Sequence, residues 1–173
     1  MENLDKAIFG GGCFWCLEAV YLRIDGVHSV TPGYAGGNIN NPTYEQVCTG
    51  KTGHAEVIQI IFDSDKISYG ALLDWFWRSH DPTTLNRQGG DIGTQYRSVI
   101  FYERETHEIL ANESKKEAEE SKYYKNPIVT EIIKLEEFFH AEDYHHNYYN
   151  DNPNAGYCRY IIQPKLEKLN LDQ

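Results

Sequence analysis

The order of apolar segments along the first 102 residues restricts the fold more than any other feature of this chain. Strand-like and helix-like patterns follow in the order strand, helix, strand, strand, helix, strand, at 7–9, 13–24, 27–34, 54–62, 68–80 and 96–102. This order is the split βαβ plan, so we expect an α+β, two-layer sandwich with a ferredoxin-like core. Added to that core would be a charged helix near 106–122, a strand at 128–135, a short helix at 141–149 and an irregular C-terminal tail.

The length and composition of the chain indicate one domain. Its 173 residues are enough to enclose a hydrophobic core, and 40% hydrophobic and 24% charged residues are ordinary proportions for a globular protein. No repeat or low-complexity linker divides the sequence. We therefore expect a single domain over 1–173, with its core at about 6–140 and a tail at about 150–173 that contains Cys158.

The charge balance argues against several classes of partner. The formal net charge is −10, so a nucleic acid backbone or an anionic membrane surface would repel the chain. No apolar run approaches the roughly 20 residues of a membrane-spanning helix. The first twelve residues carry two acids and lack the basic start and long apolar stretch of a signal peptide. These features predict a cytoplasmic protein, in which cysteines stay reduced.

Two cysteines three positions apart, Cys13 and Cys16, follow three glycines and enclose an aromatic pair. Such cysteines can form half of a zinc site, a redox pair, a reactive thiol at the start of a helix, or part of the core. A structural zinc site needs a second compact pair of ligands, whereas Cys48 and Cys158 stand alone. Free cysteines are often buried, and for Cys48 we expect a core position.

The position of Cys13 favours chemistry over packing. It follows glycines at the predicted start of a helix, where free backbone N–H groups and the helix dipole stabilise a thiolate. A candidate acid is Glu56, which in a strand would share a face with Ile58 and Ile60. A carboxyl group on an apolar face has a raised pKa and donates a proton near neutral pH, whereas a glutamate at a strand edge would simply reach water. From its residues alone, the chain is a candidate thiol redox enzyme.

Four sequence blocks extend this interpretation when they are taken together. They are GCFW at 12–15, GYAGG at 33–37, GKTGHAE at 50–56 and GTQYRS at 93–98, and they are accompanied by NPTY at 41–44, HDPT at 80–83 and GYC at 156–158. In this order and at this spacing, the blocks closely resemble those of the A-type peptide methionine sulfoxide reductases. The resemblance covers about residues 6–165, which is nearly the whole chain.

The resemblance implies a role for each matching residue. Cys13 would be the nucleophile that attacks the sulfoxide sulfur, and Glu56 would be the acid that protonates the sulfoxide oxygen. The other matches would contact the substrate: Tyr44 and Tyr96 at the oxygen, Phe14 and Trp15 as an apolar wall for the methyl group, and Asp91 as a polar pocket residue. The implied reaction is the reduction of methionine S-sulfoxide, in proteins and as the free amino acid, to methionine.

The resemblance also implies how the enzyme is recycled. Loss of methionine leaves a sulfenic acid on Cys13, and a second thiol converts it to an intramolecular disulfide that thioredoxin would reduce. Cys158 matches the usual tail cysteine of the family and follows a stretch able to swing, so we expect the first disulfide to join Cys13 and Cys158. Cys16, where many members have glycine, would then take over the bond, unless it is a core residue. Thioredoxin is the implied external reductant, no metal or other cofactor is implied, and we expect a monomer.

Overall fold

The computed structural model describes residues 2–172. The strands are β1 Leu4–Gly10, β2 Val27–Ala35, β3 Ala55–Asp63, β4 Arg87–Gln88, β5 Asp91–Ile92, β6 Val99–Tyr102, β7 Glu131–Lys134 and β8 Phe138–His140. The α-helices are α1 Phe14–Tyr21, α2 Tyr44–Cys48, α3 Tyr69–Ser79, α4 Glu105–Glu120, α5 Tyr148–Asp151 and α6 Gln163–Lys168. Shorter 3-10 turns occur at Thr94–Tyr96 and Asp143–His145, and a π-helical turn occurs at Cys158–Ile162.

Six of the strands form one sheet in the order β7-β6-β1-β3-β2-β8, and β4 pairs with β5 in a separate hairpin. Neighbouring strands of the large sheet are antiparallel except for β6 and β7, which are parallel. Near its centre Phe9 of β1 pairs with Ile58 of β3, and Tyr34 of β2 pairs with Glu56 of β3. The mixed α and β architecture expected from the segment order is confirmed.

The main core lies between the sheet and the helices α1 and α3. Ile58, Ile60 and Phe62 alternate along β3 and belong to this core, whereas Val57 belongs to a smaller cluster on the opposite face. Helix α3 begins after Ser68, whose hydroxyl accepts a hydrogen bond from a backbone N–H in the first turn. Among the helices of residues 2–172, none is both long and apolar enough to cross a membrane.

Two segments differ from the sequence-based expectations. The predicted helix at 141–149 is instead a 3-10 turn followed by the single turn of α5, because Asn147 adopts a left-handed conformation, with φ of 57°, that interrupts the helix. The C-terminal tail is not irregular: the π-helical turn and α6 form a continuous helical segment from Cys158 to Lys168. Ile162 and Leu166 of this segment are buried in the main core, which explains why it is ordered.

Candidate active site

A tight glycine turn joins β1 to α1 and presents Cys13 at the start of the helix. Gly10 lies so close to β3 that a Cβ would come within 2.9 Å of the Glu56 carbonyl oxygen. Gly12 has a φ of 89°, which glycine adopts without strain, and its N–H donates to the Tyr96 carbonyl at 3.2 Å. Cys13 immediately precedes α1 and is 8% exposed. The turn therefore holds Cys13 against the strand that carries Glu56.

The Glu56 carboxyl group lies on the face of β3 that packs against α1. Its Oε1 accepts a hydrogen bond from the Phe14 backbone N–H at 3.1 Å, and its buried Oε2 has no partner within the described part of the chain. Burial raises its pKa from the ordinary 4.5 to about 8, and the charge of Asp91 adds to the increase. Glu56 is therefore a buried carboxylic acid at neutral pH that can give up a proton.

The Cys13 thiol is protonated in this arrangement, which differs from the thiolate expected at a helix start. Burial raises its pKa well above the ordinary value, and the hydrogen bond to Cys16 and the charge of Glu56 add to the increase. The hydrogen bond from the Trp15 backbone N–H acts in the opposite direction but is a smaller effect. Because desolvation outweighs the helix dipole here, Cys13 needs a proton acceptor before it can attack.

Cys16 is the thiol of the pair whose pKa is lowered, to about 7. The hydrogen bond from Cys13 is the largest cause, burial opposes it, and the positive charge of Lys165 supports it. At about pH 7.5 a thiol with this pKa is mostly thiolate, which is the nucleophilic form. Cys16 is buried, as a core residue would be, but it is also in direct hydrogen-bond contact with Cys13.

Tyr44 and Tyr96 bring two phenol hydroxyl groups into the neighbourhood of Glu56. Tyr44 is the first residue of α2, whose N-terminus Thr43 caps, and Tyr96 ends the 3-10 turn before β6. Burial is the largest cause of a raised pKa at both tyrosines, and the charge of Glu56 is the next. Both hydroxyls therefore keep their protons and can donate hydrogen bonds.

A carboxylate that no sequence pattern indicated, Glu142, holds Tyr44 in place. Glu142 accepts hydrogen bonds from the Tyr34 hydroxyl and from the Tyr44 backbone N–H, both at 2.9 Å. Burial alone would raise the pKa of Glu142, but these hydrogen bonds reverse the effect and lower it. Glu142 thus stays ionised. No motif marks this residue, since only the fold brings position 142 to positions 34 and 44.

The rings of Phe14 and Trp15 form an apolar surface, and the 142–148 segment supports it. Trp15 stacks on Tyr148 with 3.8 Å between ring centroids and 7° between planes, and its indole N–H donates to His145 Nδ1 at 2.9 Å. The His145 ring also lies 5.0 Å from that of Phe14. Phe14 and His145 are fully buried, whereas Trp15 is half-buried and keeps one part open to solvent. The sequence motif contains the two rings, whereas His145 and Tyr148, which support them, lie outside every motif.

Asp91 contacts Tyr157, a tyrosine of the GYC motif to which the sequence alone assigned no role. Its Oδ2 accepts a hydrogen bond of 2.6 Å from the Tyr157 hydroxyl, and that hydroxyl also lies 3.5 Å from Cys16 Sγ. The Tyr157 ring meets Trp15 edge-on, with 5.8 Å between centroids. Burial raises the pKa of Tyr157, and the charge of Cys13 adds to it. Tyr157 thus joins the C-terminal segment to the β4–β5 hairpin and to the thiols.

The other two cysteines lie in different surroundings. Cys158 follows the stretch that was expected to be able to swing, and it is itself fully buried in the main core at the start of the π-helical turn. Burial raises its pKa, and the thiol whose charge adds most to the increase is Cys16. Cys48 was expected in the core and is instead exposed at the end of α2. All four cysteines are free thiols.

A thiol in hydrogen-bond contact with a second thiol, and next to a protonated carboxyl group, is the arrangement of a thiol oxidoreductase with acid catalysis. Across residues 2–172, no three metal-ligating side chains lie together. The family model described as peptide methionine sulfoxide reductase matches residues 5–173, and the chain belongs to that family.

Individual relatives match nearly the whole chain. The peptide methionine sulfoxide reductase MsrA of Leptospira borgpetersenii serovar Hardjo-bovis is 53% identical over 170 residues, which cover 95% of this chain and 93% of the relative. The solved structure of methionine sulfoxide reductase A of Corynebacterium diphtheriae has a TM-score of 0.86 at 33% identity, and the match covers 92% of this chain and 80% of that one. Mxr1 from Saccharomyces cerevisiae in complex with Trx2 has a TM-score of 0.59 at 25% identity, with 79% of each chain covered. The resemblance inferred from the sequence blocks is confirmed.

Proposed function

We propose that this chain reduces the S-epimer of methionine sulfoxide, in proteins and as the free amino acid, with Cys13 as the nucleophile. The observation that carries the proposal is the buried, protonated Glu56, whose Oε1 is held by the N–H of the residue after Cys13. Oxygen leaves a sulfoxide sulfur readily only when it is protonated, so an acid next to the nucleophile suits this reaction. The product would be methionine, and oxidised proteins would be repaired.

Glu56 and Cys13, both buried, can together supply and recover the proton that this reaction needs. Glu56 gives its proton to the sulfoxide oxygen while the Cys13 sulfur attacks the sulfoxide sulfur, and the Cys13 proton restores Glu56. Oxygen ends on Cys13 as a sulfenic acid and methionine leaves as a thioether, so no external proton is consumed. A second thiol then condenses with the sulfenic acid, which forms a disulfide and releases water.

The two sides of a sulfoxide need different surroundings, and the pocket residues supply both. We assign the oxygen to the Tyr44 and Tyr96 hydroxyls, whose raised pKa values keep them hydrogen-bond donors. We assign the methyl group to the wall of Phe14 and Trp15. Asp91 accepts a hydrogen bond from Tyr157, and we propose that it keeps one side of the pocket polar. Donors opposite an apolar wall would select one epimer, because exchanging the two substituents would place the oxygen against the rings.

A thioredoxin is our proposed external reductant. The Saccharomyces cerevisiae relative has been solved in complex with Trx2. The two thiols of a thioredoxin would supply the two electrons that reopen the disulfide, and they would leave as a disulfide themselves. Under this scheme the reaction uses no metal and no organic cofactor.

We further propose that the chain acts as a single catalytic domain over 1–173, as a monomer in the cytoplasm. Its core would be the ferredoxin-like split βαβ unit. The strand order β6-β1-β3-β2, with α1 and α3 as the crossover helices, supports that proposal. The packing of Ile162 and Leu166 into the main core supports one domain that includes the tail.

The first prediction is that only one epimer is consumed. With dithiothreitol as reductant, the purified protein should convert methionine S-sulfoxide to methionine and leave the R-epimer unchanged, because donors opposite an apolar wall accept one epimer and the family resemblance implies that it is the S-epimer. Chromatography of both epimers over one time course measures this. Equal consumption of the two epimers, or none of either, would contradict the proposed function.

The second prediction concerns the apolar wall. Because Trp15 contacts the methyl group without a hydrogen bond, Trp15→Ala should lower kcat/KM for methionine sulfoxide by roughly 10- to 100-fold, the value of one large buried apolar contact. The intact site should also use ethyl and propyl sulfoxides poorly. The matched control is Trp75→Ala, a half-buried tryptophan of α3 whose ring packs against the Arg78 guanidinium. Equal reaction of methyl, ethyl and propyl sulfoxides with the unaltered protein would show that the wall is misassigned.

A further inference from the structure

We propose that His145 is a positioning residue that sets the selectivity of the methyl site, by fixing the indole of Trp15 in one place. This inference rests on the proposed function, because it concerns the same wall. The hydrogen bond between Trp15 Nε1 and His145 Nδ1 is 2.9 Å long and joins residues 130 positions apart. His145 is fully buried, and among the described residues its imidazole forms a hydrogen bond with Trp15 alone, so it would act through the rings that it contacts.

The hydrogen bond determines the state of the imidazole. An indole N–H can only donate, so Nδ1 of His145 must accept and the neutral ring must carry its proton on Nε2. Burial lowers the pKa of His145, which keeps the ring neutral. Nε2 is buried without a hydrogen-bond partner in the described part of the chain. The polar contact that orients this ring is therefore the one with Trp15.

Stacking alone would leave the indole of Trp15 free to slide. Tyr148 covers one face of the indole at 3.8 Å, which prevents tilting but not displacement within the plane. The bond to His145 fixes the edge of the same indole, so the two contacts together define its position. The backbone is anchored as well, since the Glu18 carboxylate of α1 accepts hydrogen bonds from the Asn147 and Tyr148 N–H groups at 2.9 and 3.3 Å.

The His145 ring also reaches the oxygen side of the pocket. Its centroid is 4.4 Å from that of Tyr44 and 5.0 Å from that of Phe14. One buried ring therefore touches both parts of the wall and one of the two hydroxyl-bearing rings. Loss of the bond to Trp15 should widen the methyl site and relax the choice between S-alkyl groups, more than it slows the chemical step.

The test is a double-mutant cycle in which the measured quantity is the selectivity between methyl and ethyl sulfoxide. His145→Phe keeps an aromatic ring but removes the acceptor, and Trp15→Phe removes the indole N–H. We expect His145→Phe to lower the ratio of kcat/KM for methyl over ethyl sulfoxide by about five- to tenfold, which is the worth of one hydrogen bond. In the Trp15→Phe background the same change should alter the ratio less than twofold. His146→Phe, next in the chain and not bonded to Trp15, is the matched control and should keep the wild-type ratio.

An equal fall of the ratio in both backgrounds, or no fall in the wild-type background, would overturn the proposal. A measurement on the unaltered protein guards against misfolded variants. Nitrogen-15 NMR should show His145 as the neutral tautomer protonated at Nε2, and the Trp15 indole proton should be protected from exchange. A His145 proton on Nδ1 would also overturn the proposal. These NMR signals require no turnover, so they separate a failure of this inference from a failure of the proposed reductase activity.

Discussion

Glu56→Gln should lower the rate constant of a single turnover, measured as methionine formed per enzyme without reductant, by roughly 10²–10⁴-fold. Glutamine can still accept a hydrogen bond from the Phe14 N–H and can still donate one to the sulfoxide oxygen. It cannot transfer a proton. Since the pKa of Glu56 is about 8, the wild-type residue is an acid throughout the neutral range.

The pH profile of the same single turnover provides an independent check. The wild-type rate should decline as the pH rises through about 8, because ionised Glu56 has no proton to give. Glu45→Gln, an exposed glutamate in the first turn of α2, is the control and should keep the wild-type rate and profile. A near-normal single-turnover rate in Glu56→Gln would remove Glu56 from the acid role.

Unfolding measurements should show that Glu56→Gln folds. They should also show how Glu56 makes the stability of the wild-type protein depend on pH. The pKa of Glu56 is raised from 4.5 to about 8 on folding, so the unfolded state ionises first. The free energy of unfolding should therefore fall between about pH 4.5 and 8, by roughly 1.4 kcal/mol per pH unit from this group, and level off above. Denaturant unfolding of Glu56→Gln should lack this component of the pH dependence.

The second large effect concerns which thiol reacts first with the sulfenic acid on Cys13. The structure favours Cys16 over the tail cysteine expected from the sequence, because Cys16 is in hydrogen-bond contact with Cys13 and has a pKa of about 7. Cys158 is buried in a helical segment, and burial followed by the charge of Cys16 raises its pKa. We therefore expect Cys13–Cys16 to form first and Cys158 to take the bond from Cys16.

Cys16→Ser should slow disulfide formation after one turnover by about tenfold or more, because the reacting thiol is then no longer adjacent. The methionine released in that first turnover should be unchanged. Thiol counting and peptide mapping after one turnover without reductant measure both quantities. Cys158→Ser should still form Cys13–Cys16, and Cys48→Ser, which removes the exposed thiol, is the matched control. Rapid formation of Cys13–Cys158 in Cys16→Ser would make Cys158 the first partner.

Patterns within short stretches of sequence sufficed to predict the local surroundings of Cys13 and Glu56, the residues proposed to react. Three glycines before Cys13 predicted a turn into a helix, and the structure has that turn. Strand periodicity placed Glu56 in phase with Ile58 and Ile60, and all three lie on the core face of β3. These inferences needed only the local geometry of a helix start and a strand, which depends on neighbouring residues and little else.

The protonation states of Cys13 and Cys16 could not be predicted from the local sequence. The helix dipole at Cys13 predicted a thiolate, but burial raises the pKa of Cys13, and the hydrogen bond from Cys13 lowers the pKa of Cys16 instead. Desolvation depends on how much of the protein surrounds a group. The extent of burial of a thiol is determined only when distant segments of the chain pack around it.

The residues that hold the site together also depended on tertiary structure. His145 meets Trp15 across 130 positions, Glu142 meets Tyr44 across 98, and Tyr157 meets Asp91 across 66. The sequence by itself determined the family, and it located the residues proposed as nucleophile, acid and wall, because each lies in a short block whose local pattern is distinctive. Only the folded chain decided which side chains orient these residues, because those contacts join segments whose separation along the sequence carries no information about their distance in space.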